Sequence, residues 1–357
     1  MLGYRIAAAL LLLAAPLVAR AQAIPAPSDA AALYANAKAE GGTVVWYLNQ
    51  PLEPLRLVAN AFEKQYPGMH VEMQRGIGAQ LMQKFMREAD AKQSISDVVQ
   101  ISDPIMMRDL ADGGYLAHWK VPTFDRIPDS YKVGDQAMTI IVTDMAILYN
   151  PTRLSDEEAA LLQADWRNVL DPRFKGRFAV ANTKCGICYA GVSFFLDPAL
   201  KDKFGPDFLV KVAQQKPAIY ADSVVAIDRV IAGEQDFLFW FSEGTGVQKF
   251  RDGAPMRWIE PSPRPSYGNA IQGVSAYAPH PNGARLFQNW INSDAGAQAI
   301  QDNYGARVSL AGVPDTRAVA KLPWFPHPAD YQVDLGRWEQ EYDKDQDLWI
   351  SALNRNR

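Results

Sequence analysis

The chain of 357 residues is short of the residue types on which most metal, redox and nucleic-acid chemistry rests. Its four histidines, His70, His118, His280 and His327, stand singly, so no histidine-rich metal site is spelled out. A formal charge of −4 leaves no basic footprint for a phosphate backbone, which argues against nucleic acid as a partner. Neither a Gly-x-Ser-x-Gly elbow nor a His-Glu-x-x-His motif is present, so the familiar hydrolase arrangements have no support. Past the N-terminal region, no apolar run approaches the roughly 20 residues needed to cross a bilayer. Cysteine occurs twice, at Cys185 and Cys188.

What is present is ordinary for a soluble globular protein: 48% of residues are apolar and 21% charged, enough to bury a core of normal size. At roughly 100–200 residues per domain, the length suggests about two domains. The first residues differ in kind. Arg5 precedes an Ala- and Leu-rich run over 6–18, and Ala19-Arg20-Ala21 or Ala21-Gln22-Ala23 supplies small residues at cleavage spacing. At about 13 residues the run is short for a membrane span. Residues 1–23 are therefore expected to be a secretory signal peptide, which places the mature protein in the periplasm. No cysteine follows the run to carry a lipid.

From residue 43 the chain alternates short buried-strand patterns with helical ones. Thr43-Val44-Val45-Trp46-Tyr47-Leu48 reads as a strand, and Leu55, Val58 and Phe62 share a helical face. After Pro67-Gly68, residues 69–74 alternate as a strand; Gly76-Ile77-Gly78-Ala79 precedes a helix over 80–91, and 96–101 is a third strand. Such an order predicts a parallel sheet covered on both faces, with ligands beyond the carboxyl ends of its strands. A crossover between lobes is expected over 138–150. A second alternating unit follows, with the strand 178–181 entering the turn that holds both cysteines. Helices are expected over 222–232 and 247–251, flanking the apolar 237–241. A returning strand is expected over 268–278, followed by helices over 283–291 and 294–303. A last helix has Leu335, Trp338, Tyr342, Trp349 and Leu353 on one stripe.

Several pieces, in order, resemble the periplasmic solute-binding proteins of ABC importers, in the branch that includes ferric-ion, phosphonate and sugar-phosphate binders. They are Thr43-Val44-Val45-Trp46-Tyr47 with Ala61-Phe62-Glu63-Lys64-Gln65-Tyr66-Pro67-Gly68; Arg75-Gly76-Ile77-Gly78; Ser96-Asp97-Val98-Val99; and Leu148-Tyr149-Asn150-Pro151. Farther along come Trp166 with Leu170-Asp171-Pro172-Arg173-Phe174-Lys175-Gly176, and Ala278-Pro279-His280-Pro281-Asn282-Gly283-Ala284 leading to Asn292-Ser293-Asp294-Ala295-Gly296. The resemblance spans about residues 43–310. It implies a type II periplasmic binding protein fold: two α/β lobes joined by a two-strand hinge, which close on a ligand. On that reading, lobe 1 comprises 24–138 plus 275–315 and lobe 2 comprises 139–274 plus 316–357. The resemblance further implies a monomer that is not an enzyme, uses no cofactor and serves an inner-membrane ABC permease.

Candidate ligand-binding residues follow from strand ends, helix starts and the implied cleft. Asn49 and Gln50 end the first strand, where their amides can meet a ligand or cap the next helix. Gly76, Ile77, Gly78, Ala79 and Gln80 form a turn whose open N–H groups and helix dipole suit an anion, and Arg75 can pair with a phosphate or carboxylate. Ser102 and Asp103 end the third strand, with Asp103 also a natural helix cap. In the second unit, Thr183, Lys184, Cys185 and Tyr189 surround the next helix start. Cys185 and Cys188 can form a disulfide stapling this loop; the alternatives are a redox Cys-x-x-Cys and a free thiol pair open to a soft metal. Trp240, Ser242, Glu243 and Gly244 edge the implied cleft, with Tyr267 and Asn269 beside the returning strand. Tyr47, Trp240 and Tyr267 can stack on an organic ligand or belong to the cores. Ferric binders of the family carry adjacent tyrosines where this chain reads Leu238-Phe239-Trp240-Phe241, which weakens an iron reading. The expected ligand is a small anionic organic solute, phosphorylated or carboxylated, with ferric ion as the alternative and thiol–disulfide redox chemistry as a third.

Overall fold

A computed structural model describes residues 25–181, 189–220, 223–325, 330–332 and 336–356. The first strand, β1 (Thr43–Leu48), sits between β2 (His70–Arg75) and β3 (Val98–Ile101), parallel to both. Its side chains alternate between two cores, as period-2 geometry requires. Val44, Trp46 and Leu48 pack beneath α1 (Ala30–Ala39), α2 (Leu52–Gln65) and α10 (Pro281–Ile291), while Tyr47 packs on the other face with α3 (Gly78–Asp90) and α4 (Pro104–Asp112). Burial on both faces explains why β1 reads as a continuous apolar run. Phe62 of α2 meets Phe287 and Trp290 of α10 in edge-on ring contacts, joining the helical layer across more than two hundred residues of sequence.

Two long strands carry the sheet from one lobe to the other. β5 (Ala137–Tyr149) and β10 (Arg264–Val274) run antiparallel side by side, and the strand order is β2-β1-β3-β10-β5, continuing through β8 (Phe237–Ser242) and β6 (Phe178–Ala181) to β7 (Ala218–Tyr220). Along β5, Met138, Ile140, Ile141 and Val142 belong to the first core, whereas Met145, Ile147 and Tyr149 belong to the second. The second lobe's sheet comprises β6 (Phe178–Ala181), β7 (Ala218–Tyr220) and β8 (Phe237–Ser242), mutually parallel and joined to β5 through β8. α8 (Ser223–Ile231) and α9 (Glu243–Arg251) flank β8, and α12 (Gly336–Arg355) returns to bury Trp349 and Leu353 against α6 (Tyr189–Phe195) and α7 (Pro206–Gln214).

In β8 the alternation slips. Phe237 and Phe239 face one core and Leu238 the other, but Trp240 stays on the side of Phe239 before Phe241 crosses back. Trp240 has φ +46°, a left-handed conformation rare for a bulky residue, and this local turn resets the phase. Its ring fits because residue 191 is glycine: a Cβ there would lie 2.7 Å from the indole.

Some boundaries differ from the expected ones. The returning strand begins at Arg264, not at residue 268, and ends at Val274. Arg264 and Pro263 look like loop residues in sequence, but the guanidinium is neutralised by Glu260 and Asp144 inside the fold. The helix expected over 80–91 starts at Gly78. The helix expected over 294–303 is α11 (Asp294–Ala299) followed by a wider π turn over Ile300–Tyr304, closed by Gly305 in the left-handed conformation.

Candidate functional site

The carboxyl ends of the first lobe's strands and the start of α9 enclose a cavity of about 670 Å³. Its walls are Gln50, Pro51, Glu53, Pro54 and Ser102 from the first lobe, Ser242, Gly244 and Gln248 from the second, Asn269 from β10, and Tyr304. That volume lies within the ~300–1,000 Å³ typical of small-molecule sites. α2 and α9 both point their N-terminal ends at it, and in neither does the N-cap side chain bond the first turn, since α2 starts after Pro51 and Ser242 does not cap α9. Open N–H groups at a helix start carry partial positive charge and suit anions.

A hydrogen-bond net lines the first-lobe wall. The Gln50 amide donates to Ser102 Oγ at 2.8 Å and to the Asn269 carbonyl at 2.7 Å, and its Oε1 accepts from the Tyr304 hydroxyl at 2.8 Å. Ser102 Oγ in turn donates to Asn49 Oδ1 at 3.2 Å, and Asn269 Nδ2 donates to Thr143 Oγ1 of β5 at 3.0 Å. Burial pushes the Tyr304 phenol up to about 12. Arg75 is exposed at the end of β2, and its Nε holds the Gln50 carbonyl at 3.2 Å.

Behind the second-lobe wall lies a buried charge network. Asp144, Glu243 and Glu260 bring carboxylate oxygens within 4.8 Å of one another. Three arginines meet them. Arg307 binds Asp144 at 2.7 and 2.8 Å, Arg264 binds Glu260 at 2.6 Å, and Arg317 joins Glu243 at 2.6 Å to Asp315 at 2.8 Å. Burial raises the pKa of Glu243, against the opposing pull of Arg317. Glu260 is pushed up to about 8, first by burial and then by Glu243 and Asp144. Four carboxylates thus face three guanidiniums, and burial together with mutual repulsion drives the neighbouring Glu243 and Glu260 toward the protonated form.

Some of the sequence-predicted residues stand at or near the cavity. Gln50, Ser102, Ser242 and Asn269 line the cavity. Asn49 and Arg75 stand one bond behind it, and neither Asn49 nor Gln50 caps α2, whose N-cap is Pro51. Gly76, Ile77, Gly78, Ala79 and Gln80 form a rim beyond β2 and are not among this cavity's walls; Gly78 backs onto the Asn49 amide.

The other assignments resolve into structural roles. Asp103 caps α4, accepting from the N–H groups of Ile105 and Met106. Tyr47 is fully buried, with its hydroxyl taken up by Lys84 and Glu88, so it belongs to the core. Trp240 likewise packs on Phe195, Phe239 and Trp349. Glu243 turns into the ionic network, and buried Tyr267 lies beside Ser242 with its phenol pKa raised. Thr183, Lys184, Cys185, Cys188 and the Tyr189 side chain lie outside the described residues. Glu53, Gln248 and Tyr304 were missed. A tyrosine directly before the helix-ending Gly305 was the only sequence signal for the last of these.

A two-lobed sheet crossed by two strands, with a largely apolar cavity edged by polar side chains between the lobes, is an architecture that can hold a small solute. The chain belongs to the bacterial extracellular solute-binding protein family, whose sequence model matches residues 44–305. Members of this family act outside the cytoplasm as transport binding proteins rather than enzymes and deliver solute to ABC permeases. Among the described residues, no helix is long and apolar enough to cross a membrane. No curated protein sequence matches the chain.

Solved structures share the fold. Iron-bound HitA from Pseudomonas aeruginosa superposes with a TM-score of 0.66 at 19% identity, covering 86% of this chain and 99% of its own. FutA of Trichodesmium, in complex with iron and citrate, gives 0.69 at 16%, covering 87% and 99%. AfuA of Actinobacillus pleuropneumoniae, with fructose-6-phosphate bound, gives 0.63 at 16%, covering 88% and 99%.

Proposed function

We propose that the chain captures a small organic solute bearing hydroxyl groups and one anionic group, a phosphate or carboxylate, and delivers it from the periplasm to an inner-membrane ABC permease. The observation that carries this reading is a single cavity flanked from opposite lobes by the uncapped starts of α2 and α9. The first-turn N–H groups of α9 and those of Leu52 and Glu53 in α2, where Pro54 has none, offer an anion partial positive charge, and Arg75, tethered to the Gln50 carbonyl behind the wall, adds a full charge that counters the Glu53 carboxylate. Glu53, Ser102, Gln248 and Asn269 supply acceptors and donors of the kind hydroxyl groups need.

Capture works by hinge closure. The lobes exchange between open and closed arrangements, and a solute that touches both walls favours the closed one. We assign the change of lobe to the middle of each long strand, near Thr143–Asp144 and Tyr267–Asn269, because the side chains switch cores there. The mature protein acts as a monomer after loss of residues 1–23.

Ferric ion is the second reading, favoured by the phenol of Tyr304 and the carboxylate of Glu53 on the same cavity. The cavity is large for a bare ion, and Trp240 is buried where phenolate ligands are expected, so the organic anion is preferred. A thermal-shift screen over sugar phosphates, phosphonates, dicarboxylates, polyamines and ferric ion separates the readings, because a bound solute raises the unfolding midpoint. A rise with a phosphorylated or carboxylated solute is expected. A rise with polyamines alone, or a tyrosinate–iron absorbance band without any organic anion, refutes the proposal.

A further inference from the structure

We infer that Gln50 couples the solute cavity to the two crossing strands, acting as a positioning residue rather than as a ligand contact. The inference rests on reading this cavity as the solute site. Gln50 lines the cavity, yet only 7% of it is exposed, and both ends of its amide are engaged by protein. One amide joins the end of β1 to three other segments: Ser102 after β3, the Asn269 carbonyl in β10 and the Tyr304 hydroxyl at the end of the π turn. Its own carbonyl holds Arg75 at the end of β2.

The attachment point on β10 gives the arrangement its consequence. Pairing of β10 with β5 shifts register on either side of Ala270, next to Asn269, and Asn269 itself reaches across to Thr143 of β5. At this level both strands leave the first core for the second. A solute that bonds Ser102, Asn269 or Tyr304 therefore contacts groups already tied through Gln50 to the point where the lobes join. Solute contact and strand geometry become one equilibrium, with Gln50 as the link.

Amide hydrogen exchange on the full mature chain tests this, comparing wild type with Gln50→Met, which keeps the volume, and Gln50→Glu, which sets a carboxylate against the Asn269 carbonyl. Without any solute, exchange over residues 267–272 is expected to accelerate about tenfold in both variants, the factor that the loss of one or two neutral hydrogen bonds implies. Exchange in β6, within the second lobe, is expected to stay unchanged. Acceleration confined to residues 49–51 and 102, or spread evenly over both lobes, overturns the inference. In a second arm, fructose-6-phosphate serves as the probe. Slowing of 267–272 in wild type but not in Gln50→Met supports the coupling, and equal slowing in both contradicts it. If the probe leaves wild type unaffected, that counts against the solute class alone, and the solute-free comparison still decides the role of Gln50.

Discussion

Glu260→Gln isolates the protonation that balances the buried charge network. The Glu260 side chain is fully buried, with Oε2 2.6 Å from Arg264 Nη1, and its pKa is pushed from 4.5 to about 8 by burial and by the neighbouring Glu243 and Asp144. Folding therefore takes up a proton at this site throughout the interval between those values. Stability from this group is fully present below pH 4.5 and is lost as pH rises toward 8, at close to 1.4 kcal/mol per pH unit while the proton is held. Glutamine mimics the protonated acid and removes the dependence. From pH 6 to pH 8 the stability of the variant relative to wild type should rise by about 2 kcal/mol, after allowing for partial ionisation near the folded pKa. Urea unfolding followed by tryptophan fluorescence at pH 6, 7 and 8 measures the difference. If the two profiles run parallel, Glu260 holds no proton in the folded protein at these pH values and the network is balanced in another way.

Three further outcomes are expected. Asp144→Asn leaves Arg307 and Arg264 facing a neutral amide in a buried site and should lower stability by about 3 kcal/mol in urea unfolding; a loss below one kcal/mol would show that the arginines find other partners. Gly191→Ala places a methyl 2.7 Å from the Trp240 ring, which Phe195, Phe239 and Trp349 hold in place, and should cost about 1–3 kcal/mol with a shifted indole emission. The disulfide expected from the sequence is tested by thiol labelling of the mature protein: Cys185 and Cys188 should be unreactive until reductant is added, and reduction should weaken solute binding without unfolding the chain; free thiols in the oxidised preparation would remove that expectation.

Much of the first lobe was legible because its signals are local. The run 43–48 is apolar and β-branched because both faces of β1 are buried, and the strand-end rule led directly to Gln50 and Ser102. What could not be read depends on partners distant in sequence. Arg264 looks like a loop residue until Glu260 and Asp144 are placed beside it, and Arg317 is 2% exposed only because Glu243 comes from a segment 74 positions earlier. Tyr47 and Trp240 carry the same aromatic chemistry as a stacking site, and only packing assigns them to the cores. Tyr304 reaches the cavity because a wider turn follows α11, a geometry with no distinct sequence signature.

Retention of a small organic anion in the cavity between the lobes is what the proposed function requires. Native mass spectrometry of the protein purified from a periplasmic extract, before and after denaturation, tests it most directly. A released solute is expected whose fragmentation yields a phosphate or carboxylate on a hydroxyl-bearing carbon frame, together with loss of that adduct when Ser102 and Asn269 are both replaced by alanine. An adduct matching a ferric ion alone, or a cationic solute retained by that double variant, would contradict it.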